Sequence, residues 1–214
     1  MRYFLGAMEE VRRTQVLKAS PPIFEARWLD KLSRVHPAVP VVIFLPAIVF
    51  LAAHALGRLA ALETLAWFAG GYLFWTLAEY WIHRAIFHFE PEQGIGARVH
   101  WIVHGVHHDH PNDPLRLVLP PSVSVPLALS FYGVFVFVLG NTYATAFGAG
   151  FLAGYLVYDM THYYLHHAQP RTRAGRWLRE LHMRHHFEDD EHGFGISAPY
   201  WDRVFGTASW PTKR

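Results

Sequence analysis

Long apolar runs alternate with polar, histidine-rich segments along this chain of 214 residues. Four of the apolar runs are long enough to cross a bilayer as helices, which takes about 20 mostly apolar residues. They cover residues 39–57, 62–82, 120–139 and 142–158. Only Gly140 and Asn141 separate the last two runs, so the pattern predicts a tight helical hairpin at this point.

The basic residues orient the predicted spans. Of the 19 Lys and Arg residues, 18 flank the spans on one side and only Arg58 lies on the other. The positive-inside rule therefore places both termini and the central segment 83–119 in the cytoplasm. The predicted fold is all-α: an integral membrane protein with four transmembrane helices, capped by a cytoplasmic helical domain from residues 83–119 and 159–214. The alternative is a soluble all-helical protein with buried helices.

Residues 1–38 are predicted to form a cytoplasmic or interfacial segment within a single domain of residues 1–214. Five apolar residues there can share one helix face: Phe4, Leu5, Met8, Val11 and Leu17. Three basic residues would then be placed to meet lipid headgroups: Arg12, Arg13 and Lys18. The alternative is an amphipathic helix packed on the cytoplasmic domain. No secretory signal pattern opens the chain.

Composition narrows the possible chemistry. The chain is 52% hydrophobic and 17% charged, which is too apolar for a disordered protein. It contains no cysteine. This excludes disulfides, thiolate-held iron–sulfur clusters, Cys-containing zinc sites and thiolate-ligated haem. Any bound metal must have nitrogen and oxygen ligands.

Ten of the 16 histidines fall into four groups with the spacing of metal ligands. One group has the pattern H-x-x-x-x-H, two have H-x-x-H-H and one has H-x-x-x-H. Imidazole is the commonest protein ligand for transition metals, and ten are too many for one ion. The pattern predicts two metal ions close together. The ten residues are His83, His88, His104, His107, His108, His162, His166, His182, His185 and His186.

Three of the four groups fit one face of a helix, because positions i, i+3 and i+4 are neighbours on its surface. His83 and His88 do not fit, since five residues advance about 140° beyond a full turn of an ideal α-helix. Two interpretations stay open. Either the helix is disturbed at this point, or these two histidines serve different metals.

Several polar residues are candidates for supporting the ligands. Glu79 lies one turn before His83, and Asp159 lies one turn before His162. A carboxylate in such a place can accept the second N–H of a metal-bound imidazole. Alternatively, both acids are snorkelling or salt-bridged residues at helix ends. His100, one turn before His104, is a further candidate. The other histidines are predicted to be packing or surface residues: His36, His54, His110, His167 and His192.

Iron is the expected metal. Zinc prefers closed sites with four ligands, whereas ten histidines with open positions suit a redox metal that activates dioxygen. Zinc can still replace iron in a purified sample. The chain has no Glu-x-x-His motif of ferritin-like diiron proteins and no H-E-x-x-H protease motif.

The chain resembles the fatty acid hydroxylase superfamily of membrane diiron enzymes, and within it the fatty acid 2-hydroxylases, from about Leu32 to Thr207. HRAIFH at 83–88 and HGVHH at 104–108 are typical of the superfamily, while RLVLPP at 116–121 and LHMRHHF at 181–187 add support. YDMTHYYLHH at 158–167 and GFGISAPYWDRVFGT at 193–207 resemble the 2-hydroxylase branch.

The resemblance implies insertion of one oxygen atom from dioxygen at the carbon beside the carbonyl of a long-chain acyl group. It also implies that all ten clustered histidines bind two iron ions. Candidates for binding the substrate are Arg116, Tyr158, Tyr163, Tyr164 and Trp201. The alternative is that these five are ordinary interfacial residues, since Tyr, Trp and Arg are common at membrane surfaces.

Some relatives carry a fused cytochrome b module, and the 38 or so residues before the first span are too few for one. The expected electron donor is therefore a separate ferredoxin or cytochrome b type protein with its reductase. The other expected partners are the lipid bilayer and the acyl substrate, with no nucleic acid. Composition rich in Ala and Arg suggests a bacterial inner membrane.

Three other functions are alternatives to this one. Another oxidation within the superfamily, such as carotenoid or sterol hydroxylation or desaturation, is the main alternative. A non-enzymatic membrane haem protein would place single histidines inside the spans, whereas these clusters lie beyond them. A metal transporter would need polar or acidic residues near the middle of the spans, which contain almost none.

Overall fold

The computed structural model describes residues 12–208, and within that range it is helical without β-strands. The helices in the first half are α1 (described from 12 to 17), α2 (Arg27–Leu32), α3 (Ala38–Leu56) and α4 (Ala61–Ile82). A π-helical turn, His83–Phe87, continues α4. Phe4, Leu5, Met8 and Val11 of the predicted N-terminal helix lie outside the described residues.

The second half begins with α5 (Gly94–His100), a second π-helical turn (Trp101–Gly105) and α6 (Val106–Asp109). The long α7 (Pro121–His167), α8 (Arg173–Phe187) and the short α9 (Tyr200–Val204) follow.

Helix α7 contains the predicted hairpin. Gly140 has φ 73° and ψ 160°, a conformation essentially confined to glycine, and it divides α7 into two arms. The arms fold back on each other, because the ring centroids of Phe135 and Phe147, and of Phe131 and Phe151, are each 4.9 Å apart. The predicted hairpin is confirmed. The second arm stays helical up to His167 and so carries two of the clustered histidines.

Two of the described helices, α3 and α7, are long and apolar enough to cross a membrane. Helix α4 is less apolar, since it is rich in aromatic residues and carries Glu63 and Glu79. Large apolar side chains still point outward from all three helices, including Phe50, Leu62 and Phe137. An apolar surface of this extent is typical of contact with lipid.

The core of the bundle lies between α3, α4 and the two arms of α7. Phe44, Trp75 and Tyr155 are buried there, and Phe44 meets the Tyr155 ring edge-on at a centroid distance of 4.9 Å. Trp75 packs edge-on against Phe151 at 5.1 Å. Edge-to-face aromatic contacts of this kind stabilise a core beyond their burial alone.

Two glycines let α4 and α7 approach until their backbones touch. A Cβ on Gly71 would lie 1.9 Å from the Phe147 carbonyl oxygen, and one on Gly150 would lie 1.9 Å from that of Phe68. Small residues serve this purpose where membrane helices cross.

We expect Gly150→Ala to destabilise the protein by about 1–3 kcal/mol, because neither backbone can move away from the added methyl group. Gly133→Ala is the matched control, since it lies on the same helix and an added Cβ would meet no atom within 4 Å. Both changes bring the same gain in helix propensity. Thermal unfolding in detergent measures the difference, and equal melting temperatures would contradict the expectation.

Candidate metal centre

The histidines form two compact groups of five, and within each group the candidate ligand atoms lie within 4.8 Å of one another. The first histidine group is His83, His88, His104, His108 and His185. The second histidine group is His107, His162, His166, His182 and His186. These are the ten residues that the sequence pattern selects. The other six histidines, all within the described residues, belong to neither group.

Each H-x-x-H-H motif contributes to both groups. His104 and His108 belong to the first group, whereas His107, between them in sequence, belongs to the second. The motif on helix α8 has the reverse arrangement, with His185 in the first group and His182 and His186 in the second. On a helix the i+3 position lies about 100° from the i+4 position, so one motif can contact two sites. The two groups therefore lie side by side, with the same two helical motifs contributing to both.

The π-helical turn explains the irregular pair. The His88 N–H donates to the His83 carbonyl at 3.1 Å, a hydrogen bond that spans five residues. The wider turn brings the two rings to a centroid distance of 5.0 Å within the first group. The sequence left open either a disturbed helix or two histidines that serve different metals. The structure has the disturbed helix, and both histidines lie in the first group.

The ring nitrogens are arranged as metal ligands would be. The Nε2 atoms of His88 and His104 are 3.1 Å apart, and those of His107 and His186 are also 3.1 Å apart. Two neighbouring ligands, each about 2.1 Å from one ion, would lie about 3 Å apart. The Nε2 atoms of His83, His162 and His185 are buried without a hydrogen-bond partner. Donors of this type and burial fit a pair of metal ions.

Backbone carbonyls orient two histidines of the first group. The Nδ1 of His83 lies 2.7 Å from the Phe194 carbonyl oxygen, and that of His185 lies 2.8 Å from the His192 carbonyl oxygen. A carbonyl oxygen only accepts, so each Nδ1 carries the proton and donates it. The Nε2 lone pair of each ring is then directed at the group.

The predicted carboxylate partners lie elsewhere. Glu79 accepts from the Ser197 N–H at 2.7 Å and from the Ser197 hydroxyl, so its predicted pairing with His83 is wrong. Asp159 accepts from the Tyr155 hydroxyl at 3.4 Å and from a backbone N–H, instead of orienting His162 as predicted. Both acids are buried and face the cavity described below.

His100 lies near the centre without belonging to it. Its Nε2 is 3.8 Å from a Glu90 carboxylate oxygen, and neither histidine group includes it. The remaining histidines make contacts outside the two groups. His110 pairs with the Val16 carbonyl, and the His167 ring stacks on Tyr163.

Burial keeps the clustered imidazoles neutral. Desolvation, followed by the neighbouring imidazoles, lowers the pKa of His83, His104 and His107 well below the ordinary value. The same causes lower the pKa of His88 and His108 to about 3. Neutral imidazole is the form that binds a metal ion, so these side chains are ready to act as ligands at neutral pH.

We expect the metal-free protein to lose stability as the pH falls. In the unfolded chain these histidines take up a proton near pH 6.5, whereas in the folded chain the pKa of His88 and His108 is about 3. Between these values the unfolded state binds more protons, so acid favours unfolding. Melting temperatures of chelator-treated protein from about pH 7.5 to about pH 4.5 measure this. A constant or rising melting temperature would contradict it.

A cavity of about 320 Å³ begins at the histidines. His104 from the first group and His107 and His162 from the second line one part of it. Both arms of α7, α4 and residues 23–33 and 102–119 line the rest, mostly with apolar side chains, as far as Phe131 and Phe151. On the second arm of α7, the rise from His162 to Phe151 is about 16 Å.

The structure divides the five candidate substrate-binding residues. Arg116 and Tyr158 line the cavity, but Tyr163, Tyr164 and Trp201 do not. The first of these three stacks on His167, the second is 44% exposed, and Trp201 donates to Thr76 at 3.1 Å. These three side chains lie outside this cavity, so their role in substrate binding stays a prediction.

Arg116 is in the cavity wall, but it is engaged by acids. Its guanidinium is 2.6 Å from Asp30 and 3.9 Å from Asp113, and its side chain is 3% exposed. The Asp30 contact ties the segment containing α2 to the wall, and Ile23 and Leu29 of that segment line the cavity as well. Sequence reasoning missed these residues, because no local pattern places α2 beside the histidines.

Comparison with known proteins agrees with this geometry. The family model described as fatty acid hydroxylase matches residues 68–207. The chain is 37% identical to a dihydroceramide fatty acyl 2-hydroxylase of Arabidopsis thaliana over 201 residues, which cover 93% of this chain and 84% of that protein. It is 38% identical to a ceramide very long chain fatty acid hydroxylase of Saccharomyces cerevisiae, over 91% of this chain and 51% of the relative.

A mouse fatty acid 2-hydroxylase (Mus musculus) is 44% identical over 144 residues, which cover 65% of this chain and 38% of that protein. A solved structure of full-length Scs7p, with only the hydroxylase domain visible, superposes with a TM-score of 0.82 at 37% identity. The match covers 86% of this chain and 71% of the Scs7p chain. The chain therefore belongs to the fatty acid hydroxylase family, in its fatty acid 2-hydroxylase branch.

Proposed function

We propose that this protein hydroxylates carbon 2 of long-chain acyl groups in membrane lipids, using two iron ions, dioxygen and electrons from a separate donor. One observation carries the proposal: the apolar cavity opens onto His104, His107 and His162, which together belong to both histidine groups. A chain held in this cavity would have one end beside both metal sites. The activities of the relatives agree with this arrangement.

The two histidine groups would hold one ion each, and bound iron would supply the activation of dioxygen. Five imidazoles in each group exceed the four ligands of a closed zinc site, which favours a redox metal with an open position. Zinc can occupy the same nitrogens in purified protein, because the affinity order of divalent metals does not favour iron over zinc.

The cavity would select the carbon that reacts by position. Apolar walls exclude water and hold the alkyl chain toward Phe131 and Phe151, so only the first carbons of the acyl group reach the histidines. Near that end the polar lining residues are Glu79, Tyr158 and Asp159. The Tyr158 hydroxyl is a hydrogen-bond donor of the kind that the acyl carbonyl oxygen requires.

The charges of the cavity favour an amide-linked acyl lipid over a free acid. Among the described residues, Arg116 is the one Lys or Arg side chain in the cavity wall, and it is already engaged by Asp30 and Asp113. A buried carboxylate head group would therefore find no available side-chain cation, and such burial is costly. An N-acyl lipid brings no charge at this position, and two relatives are ceramide or dihydroceramide hydroxylases.

In the proposed topology, α3, α4 and the two arms of α7 cross the membrane, and both termini face the cytoplasm. The 18 basic residues that flank one side, against one on the other, support this orientation. The histidine groups would lie on the cytoplasmic side, accessible to an acidic ferredoxin or cytochrome b type donor with its reductase. A bacterial inner membrane suits the composition.

Lipid mass spectrometry on cells that express the chain tests the proposal. With ¹⁸O₂ supplied, we expect new lipids with one labelled oxygen on carbon 2 of the amide-linked acyl chain. Cells that express the His107→Ala variant are the control. If iron-loaded protein with a supplied donor yields no hydroxyacyl lipid, the proposed reaction is wrong. Carotenoid and sterol substrates would then be tested next.

A further inference from the structure

The segment after α8 touches two ligands of the first histidine group through its backbone. Its His192 and Phe194 carbonyls accept from the Nδ1–H of His185 and of His83. One of these ligands ends α4 and the other lies on α8, so a short stretch of main chain links two helices that are far apart in sequence. Residues 192–207 are called the C-terminal clamp below.

The carboxylate of Asp202 joins three residues of the C-terminal clamp. Asp202, on α9, is 2% exposed. Its Oδ1 accepts from the Phe194 N–H at 2.8 Å, and its Oδ2 accepts from the Gly195 N–H at 2.9 Å. The Thr207 hydroxyl lies 2.9 Å from the same Oδ1. The Phe194 peptide is thus held on one side by Asp202 and on the other by His83.

The C-terminal clamp is built tightly around this carboxylate. Gly193 has φ +80°, the left-handed region that favours glycine. A Cβ on Gly195 would lie 2.5 Å from the Ala198 carbonyl oxygen and 2.8 Å from Asp202 Oδ2. Ser197 also ties the clamp to Glu79, one turn before His83 on α4. Asp202 and Glu79 therefore both fix the clamp next to the carbonyls that meet His83 and His185.

We infer that Asp202 is a positioning residue for the first metal site, acting through the clamp carbonyls on His83 and His185. The inference rests on the proposed function, in that both histidine groups bind a metal ion. Within residues 12–208 the two clamp carbonyls bond to His83 and His185, both in the first group. The Asp202 carboxylate bonds to Phe194, Gly195 and Thr207 of the clamp, and to no histidine of the second group. Loss of Asp202 should consequently weaken one site and spare the other.

The test is Asp202→Asn in the full-length protein. Asparagine has the same shape, but its NH₂ must face one of the two backbone N–H groups, so one hydrogen bond becomes a clash between donors. Partners of this kind typically contribute 10–100-fold to metal affinity. We expect one of the two ions to bind about 10–100-fold more weakly, with the other unchanged. Glu188→Gln, an exposed acid beside α8, is the charge-matched control.

Metal content is measured after equilibration with graded chelator, and cobalt(II) titration followed by absorption separates the two sites. If the parent protein binds two ions and the variant weakens both sites equally or neither, the inference is overturned and the proposed function stands. A parent chain that binds no ion would overturn the proposed function and the inference with it.

Thr207→Val provides the second variant. It removes the hydroxyl that contacts Asp202 and the Tyr80 hydroxyl, and it keeps the two backbone bonds to Asp202. A smaller loss, again at one site, is expected. If Asp202→Asn does not fold, Thr207→Val alone is the test. Equal losses of metal affinity at the two sites, or no loss at either, would then overturn the inference.

Discussion

His185→Ala should abolish lipid hydroxylation and leave the purified protein with one metal ion instead of two. His185 is fully buried, its Nε2 has no hydrogen-bond partner, and its Nδ1 is held by the His192 carbonyl. Outer partners of ligands already contribute 10–100-fold, so removal of a ligand should lower activity by at least about 100-fold. Metal analysis and product formation in the same preparation measure both effects.

His107→Ala is the complementary variant, because His107 belongs to the second group although it lies between two histidines of the first in sequence. The same loss of activity is expected, with removal of the other ion. His54→Ala is the control, since its ring stacks on Phe50 outside both groups. Full activity of either ligand variant would show that its histidine is not a ligand.

Ala128→Trp should shift the products toward shorter acyl chains. Ala128 lines the cavity on the first arm of α7, one turn from Phe131, and lies away from the histidines. An indole there fills space that the far end of a long chain would occupy, and an overfilled core is costly to rearrange. We expect hydroxylation of the longest chains to fall at least about 10-fold relative to shorter ones, about 1.4 kcal/mol of discrimination.

Leu129→Trp is the matched control, because its side chain is the next on the same helix and is 65% exposed. Both variants should keep two metal ions, which separates a change of cavity length from damage to the centre. An unchanged product distribution in Ala128→Trp would show that acyl chains do not occupy this part of the cavity.

Local patterns were enough to predict much of this protein. The hairpin at Gly140 follows from two apolar runs with almost nothing between them, and the ten histidines follow from ligand spacing. The strings at 158–167 and 193–207 resemble the 2-hydroxylase branch, and the comparisons place the chain there. Each of these features is contained within a few consecutive residues.

Side-chain partners distant in the sequence were harder to predict. Glu79 and Asp159 have the spacing of ligand partners, yet Glu79 bonds to Ser197 and Asp159 to Tyr155. The actual partners of His83 and His185 are backbone carbonyls, and every residue has one. Composition and spacing therefore carry no signal for them. From the sequence alone, Arg116 is a candidate for binding the lipid head group. Its pairing with Asp30 is not visible in a local pattern, because the two residues are 86 positions apart.

The sequence by itself determined that the protein is helical, that it carries apolar helices, that ten histidines lie close together and to which family it belongs. These properties depend on periodicity and spacing within a turn or two of helix. Only the tertiary structure decided how the ten divide into two fives, because each H-x-x-H-H motif contacts both groups and the packing of α4, α7 and α8 assigns each ring. The same packing formed the cavity and brought the carbonyls of His192 and Phe194 to the Nδ1 atoms of His185 and His83.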